Sequence, residues 1–324
     1  MKKNKYIFVL IMLLAIAMAG GIFTTAYVKL EKSGEENGSI KVVTSFYPIY
    51  IATENVIGDN PDVILKNLSE PQTGCMHDYQ LTPQDMILLS EADVFIVNGG
   101  GIESFLSEVA ESYPELTIIQ ATDGLKLLEE EEHDHEEEHS EEEHAHEEEH
   151  DHGDENAHAW MDTELYAGMV QNIAQGLSAV DKEHKQEYQE NAAVYCEKIQ
   201  ELTNQIDEIK EVLSGKNVII FHEAYEYVAQ QYGMHVTYCM DLDEERQVSA
   251  GEVAEVMEQI RDNQVAVIFA EELYGKDMGN TVEKEGDCKV YYLDALVRGT
   301  YEKDSYLNAM QENIDLMKEI AGKE

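Results

Sequence analysis

Residues 188–213 read YQENAAVYCEKIQELTNQIDEIKEVL. Within this stretch Tyr188, Ala192, Tyr195, Ile199, Leu202, Ile206, Ile209 and Leu213 recur at alternating intervals of four and three, which lays one apolar stripe along a single helix. About 26 residues at a rise of about 1.5 Å reach roughly 39 Å, longer than an ordinary domain helix and long enough to tie two lobes together. The other use of such a stripe is a coiled-coil seam between two copies. Tyr and Ala on the stripe, and barely four heptads, favour burial against the protein's own flanks and hence a monomer.

Outward from this helix, short β-rich runs alternate with helical stretches, the pattern of an α/β fold with mainly parallel sheets. Strands are predicted at Lys41–Ser45, Asp62–Lys66, Asp93–Asn98 and Leu116–Gln120, then at Asn217–Phe221, His235–Cys239, Val265–Phe269 and Lys289–Leu293. Four strands precede the helix and four follow it. Residues 40–180 therefore read as an N-terminal lobe, 181–214 as the linking helix and 215–324 as a C-terminal lobe, each lobe with a four-stranded sheet flanked by helices.

The chain of 324 residues carries 67 Asp and Glu against 22 Lys and Arg, a formal charge of −45. That balance repels phosphate backbones and excludes nucleic acid as a partner. It attracts cations. Four cysteines without a CxxC pair rule out a disulfide scaffold, a zinc knuckle and thioredoxin chemistry. At the N-terminus Lys2, Lys3 and Lys5 precede an uncharged run from Tyr6 to Val28, about 34 Å long as a helix, which spans a bilayer. Its positive flank stays in the cytoplasm and sends the rest outward. Residues 1–28 are an anchor at the outer face of the cell membrane, or a signal peptide cleaved after Ala19 that yields a secreted or periplasmic protein. Residues 29–39 form a polar linker.

Residues 129–155 hold 17 acids and 7 of the 12 histidines, in a repeat of period eleven: EEHDHEEEH at 131–139 and EEHAHEEEH at 142–150. Such a segment cannot bury a core and reads as a solvated loop. The pairs of His133, His135, His139, His144, His146, His150 and His152 bring imidazoles together among carboxylates that concentrate cations, so the loop is a weak metal collector.

Three further histidines have distinctive surroundings. His77 lies in GCMHDY after the second strand and before the helix-start signal Thr82-Pro83-Gln84-Asp85; His158 lies in NAHAWMD directly after the acidic loop; His222 follows the strand Asn217–Phe221 in FHEAY. Ligands favour the carboxyl ends of parallel strands, where His77 and His222 fall. His184 and His235 read as structural.

The pieces HDYQLTPQD, NAHAWMD, FHEAY and YYLDAL, in this order and with an acidic His-rich insert after the first, resemble the zinc-type substrate-binding proteins of metal ABC importers, the cluster A-I solute receptors. The resemblance runs from about Lys41 to the C-terminus. It implies two four-stranded lobes joined by one long helix, with a single transition-metal ion in the cleft between them. Matched position by position, it implies His77, His158 and His222 as imidazole ligands and Asp294 as the carboxylate. Three nitrogens and one oxygen make a tetrahedral shell that suits Zn²⁺. Manganese-type relatives have a carboxylate in place of His222, and an oxygen-richer shell suits that ion better. The implied function is an extracytoplasmic receptor that delivers Zn²⁺ to an ABC permease. A Mn²⁺ or Ni²⁺ receptor, or a surface zinc buffer or adhesin without importer, are the alternatives.

The chain departs from the family pattern at Ala157 and at Cys75-Met76, and in Asp294-Ala295, positions that more often carry proline or Asp-Pro. The resemblance also suggests a bridge between Cys239 and Cys288, as in some zinc receptors, in keeping with an oxidising compartment. Cys196, beside the stripe, is expected to pack inside, and Cys75 to have a structural or disulfide role. An enzyme is disfavoured. A closed shell leaves no open position for a reactive water, and Glu226 stands where HExxH requires its second histidine.

Overall fold

All eight predicted strands form; the inner strands Val94–Val97 and Val267–Ala270 are buried throughout, as parallel strands covered on both faces are, while the edge strands keep exposed positions. The protein is represented by a computed structural model that describes residues 39–69, 76–77, 79–129, 155–240, 242, 248–286 and 288–322. The N-terminal anchor or signal, Cys75 and the histidines at 133–152 lie outside the described residues. Among those described, no helix is long and apolar enough to cross a membrane.

The elements of the first half, in chain order, are β1 (Ile40–Thr44), α1 (Tyr47–Ile57), β2 (Val63–Asn67), α2 (Pro83–Ser90), β3 (Val94–Val97), α3 (Leu106–Ser112), β4 (Thr117–Gln120), β5 (Leu128–Glu129), β6 (Glu155–Asn156), and α4 (Thr163–Val180). The long helix α5 (Lys185–Leu213) follows. The second half holds β7 (Asn217–Ile220), α6 (Tyr225–Gln231), β8 (His235–Cys239), α7 (Ala250–Asp262), β9 (Val267–Ala270), α8 (Glu272–Glu285), β10 (Lys289–Tyr292) and α9 (Ser305–Gly322).

Both large sheets are parallel, in the orders β2-β1-β3-β4 and β10-β9-β7-β8. Read from β8, the second order is the first repeated: each half places its opening strand inside, its second strand at an edge, and its third and fourth on the far side. The order reverses between β1 and β3 and again between β7 and β9, and such switch points open crevices at the carboxyl ends of the strands.

Helix starts are written locally. Thr82 and Asp85 form a capping box for α2, and Ser249 and Glu252 form one for α7. Asp162 caps α4 by accepting from the N–H groups of Glu164 and Leu165 at 2.8 and 2.9 Å. The stripe on α5 faces inward: Tyr188, Ala192, Tyr195, Ile199, Leu202, Ile206 and Leu213 are all buried, against α4, α1 and α9. Alternation in β7 divides the second half's core, with Val218 and Ile220 joining the main apolar cluster and Ile219 a separate one with Val256 and Ile268.

The long helix is not the only tie between the halves. Helix α9 returns after the last strand and packs on α5 and α1. Tyr306 stacks on Tyr166 with ring centroids 3.7 Å apart, and Tyr47 donates to Ser305 Oγ at 2.8 Å.

The expected Cys239–Cys288 bridge does not form. Cys239 ends β8 and Cys288 precedes β10, the two opposite edges of the second sheet. Three strand spacings of about 4.8 Å separate those edges by about 14 Å, beyond the roughly 7 Å over which a disulfide links two Cα atoms. Cys196 is partly buried on α5, and its Sγ lies 3.5 Å from the Ala167 carbonyl.

Candidate metal centre

Three separate segments deliver histidines to one place. His77 is half-buried after β2, and its carbonyl accepts from Ser104 Oγ at 3.4 Å. His158 is fully buried and opens the 3-10 turn Ala159–Met161. His222 is buried two residues beyond β7. The His158 ring has its centroid 5.1 Å from that of His77 and 4.9 Å from that of His222.

A carboxylate sits among them that the sequence reading passed over. Glu223 Oε1 lies 3.2 Å from His77 Nε2 and 3.4 Å from His158 Nδ1. Among the described residues, His77, His158 and Glu223 form a group whose ligating atoms all lie within 4.8 Å of one another. Burial raises the Glu223 pKa, but the hydrogen bond from His77 and the charges of His158, His77 and His222 outweigh it and hold the carboxyl down at about 2. The signal for Glu223 was its adjacency to His222, but a carboxylate beside a histidine is common and marks no role by itself.

Asp294 stands outside that group. It is exposed beyond the end of β10, and its Oδ1 accepts from the Leu296 N–H at 2.7 Å, which turns the carboxylate onto its own backbone. It lines a cavity of about 730 Å³ with Glu271, Tyr274 and Arg298. The flanking backbone nevertheless adjoins the histidines: Trp160 Nε1 donates to the Ala295 carbonyl at 2.9 Å, and the Tyr225 hydroxyl donates to the Leu293 carbonyl at 2.8 Å.

The rings differ in how they are set. His158 Nδ1 is 2.9 Å from Asn156 Oδ1, an acceptor, so the neutral ring carries its proton there and keeps the Nε2 lone pair for a cation. His222 Nδ1 instead accepts from the Ala224 N–H at 2.9 Å. Its neutral form then carries the proton on Nε2, and coordination through Nε2 requires a ring orientation that releases Ala224.

The backbone before His158 is braced by the loop after β3. Asn98 Nδ2 donates to the Ala157 carbonyl at 2.9 Å. Glu103 accepts from the N–H groups of Asn98 and Gly99 at 2.7 and 3.0 Å. Burial pushes its carboxyl up to about 7 against those bonds and one from Ser45. Gly99 has φ +84, and a Cβ there would meet Thr122 Oγ1 at 2.7 Å, so only glycine fits this turn.

Comparison with known proteins returns a consistent group. The family described as "Zinc-uptake complex component A periplasmic" (ZnuA) matches residues 42–320. The zinc-binding lipoprotein AdcA of Streptococcus pneumoniae strain R6 is 29% identical over 301 residues, covering 90% of this chain and 57% of that protein. The chain thus spans little more than half the length of that relative. The high-affinity zinc uptake system protein ZnuA of Bacillus subtilis is 28% identical over 286 residues, covering 86% of this chain and 87% of that one. The crystal structure of Zn(II)-bound AdcA from S. pneumoniae superposes with a TM-score of 0.72 at 26% identity, over 87% of this chain and 57% of that one.

Proposed function

As the chain belongs to the zinc-uptake complex component A periplasmic family, we propose that it is an extracytoplasmic receptor that captures Zn²⁺ between its two sheets and hands it to the permease of an ABC importer. The observation that carries the proposal is that the buried His158 ring lies within 5.1 Å of the His77 ring and 4.9 Å of the His222 ring, although the three come from distant segments. Imidazole nitrogens of this number suit zinc, which accepts a tetrahedral mixed shell without electronic penalty. The protein needs to perform no bond chemistry on its cargo, and a non-enzymatic role follows.

In this reading Asp294 completes the shell by swinging from its turn on Leu296, whose neighbours are tethered beside the histidines. A second reading gives the fourth position to Glu223, favoured by its 3.2 Å approach to His77. The acidic loop collects ions, and residues 6–28, uncharged and long enough to span a bilayer, keep the receptor at the membrane's outer face.

Zinc titration of a variant lacking residues 130–154, against a chelator that buffers the free ion, tests the reading. One tight site should survive, and His222→Ala should remove most of its affinity. Abolition of all tight binding by the loop deletion alone would overturn the assignment. Asp294→Asn and Glu223→Gln, compared side by side, decide the carboxylate: the ligand's variant weakens binding at least about tenfold.

A further inference from the structure

Asn156 is fully buried and uses every polar atom of its side chain. Its Oδ1 lies 3.1 Å from the His158 N–H and 2.9 Å from His158 Nδ1. Its Nδ2 donates to the Glu223 carbonyl at 3.1 Å and to Glu226 Oε2 at 2.9 Å. Its own carbonyl accepts from the Tyr227 hydroxyl at 2.5 Å, and that hydroxyl in turn accepts from the Leu128 N–H at 3.1 Å. Leu128 is the residue that Asn156 faces in the β5–β6 ladder, where the two ends of the acidic insert pair.

One residue thus meets the stem of the insert through its backbone carbonyl, and a histidine of the cluster and the turn that carries His222 and Glu223 through its side chain. Resting on the receptor reading above, we propose that Asn156 is the positioning residue of the site: its amide oxygen selects the His158 tautomer with Nε2 open, while its amide nitrogen holds the second half's turn at the matching distance. An amide suits both tasks because it offers an acceptor and a donor at once. Aspartate supplies only acceptors and would face the Glu223 carbonyl and the Glu226 carboxylate with no hydrogen to share. Outer partners of this kind commonly change metal affinity 10–100-fold when removed.

Glu223 Oε1, at 3.4 Å, is a second acceptor near His158 Nδ1, so the experiment compares two variants of the full chain. Long-range proton–nitrogen NMR of the His158 ring, recorded without metal, should show a single Nδ1–H tautomer in the parent and in Glu223→Gln, and a mixture in Asn156→Ala. Chelator-buffered Zn²⁺ titration should show Asn156→Ala weaker by about 10–100-fold. A His158 ring unchanged in Asn156→Ala, or zinc affinity within twofold of the parent, would overturn the proposal. Should Asn156→Ala fail to fold, Asn156→Asp serves: the tautomer should persist while affinity falls at least tenfold, and full affinity would count against the tie. The tautomer is read without any ion, so failure of His77→Ala to weaken zinc binding would sink the receptor reading separately.

Discussion

Glu223 Oε1 stands 3.2 Å from His77 Nε2, and this contact ties the turn after β7 to the segment after β2 across the sequence. Its charge has a consequence for stability. The Glu223 carboxyl is held at about 2 when folded, against about 4.3 in an unfolded chain. A depressed carboxylate pKa stabilises the fold above the unfolded value, and that support is lost as pH falls through the folded one. Denaturant midpoints of the metal-free protein should therefore drop between about pH 4.3 and pH 2. Glu223→Gln should flatten that part of the curve, and an unchanged slope would count against the ion pair.

His184 works in the opposite direction. Its Nδ1 lies 2.7 Å from Asp181 Oδ2, and the hydrogen bond to Asp181 raises its pKa above the ordinary value; desolvation opposes this, and the charges of Asp181, Glu183 and Asp62 add to the rise. A raised histidine pKa stabilises fully below the unfolded value, about 6.5, and the contribution disappears as pH rises through the folded one. His184→Gln should remove a loss of stability seen on going from pH 6 to pH 9, measured by urea unfolding.

Trp160 is the single tryptophan of the chain, fully buried, with its ring 5.0 Å from that of His158. Zinc capture should therefore change the intrinsic fluorescence with one transition per tight site, and His158→Ala should erase the change. Trp160→Phe would leave the Ala295 carbonyl without its indole donor and is expected to cost about 1–3 kcal/mol in chemical denaturation.

Ile199 lies at the middle of the α5 stripe with no exposed surface. Ile199→Ala should destabilise the protein by about 2–5 kcal/mol, read from the denaturant midpoint at constant m-value. An effect under about 0.5 kcal/mol would mean that the stripe faces solvent.

The strands and the long helix were legible because their signals are local: a run such as Val94–Val97, or a stripe such as Tyr188 to Leu213, declares its own burial. His77, His158 and His222 stood out as imidazoles at strand and loop ends, and the family resemblance ordered them. Sheet order is not local, so nothing in the chain warned that Cys239 and Cys288 would sit on opposite edges. The two-residue strands β5 and β6 are too short to carry a period, and Asn156 has no chemistry that distinguishes it until its four partners are seen together. The return of α9 onto α5 was hidden for the same reason, since an amphipathic helix announces a face but not its neighbour.

The β5–β6 ladder brings Leu128 and Asn156 directly opposite each other at the foot of the acidic insert. With its ends already closed, a change in the number of intervening residues alters the entropy of closure only logarithmically, by about 0.6 kcal/mol per doubling. Tract length and histidine number can therefore drift, or be rewritten by a protein engineer, with little penalty to the folded body. The stem works as a natural splice junction, an insertion port at which a reporter, an epitope or a different chelating sequence could be grafted.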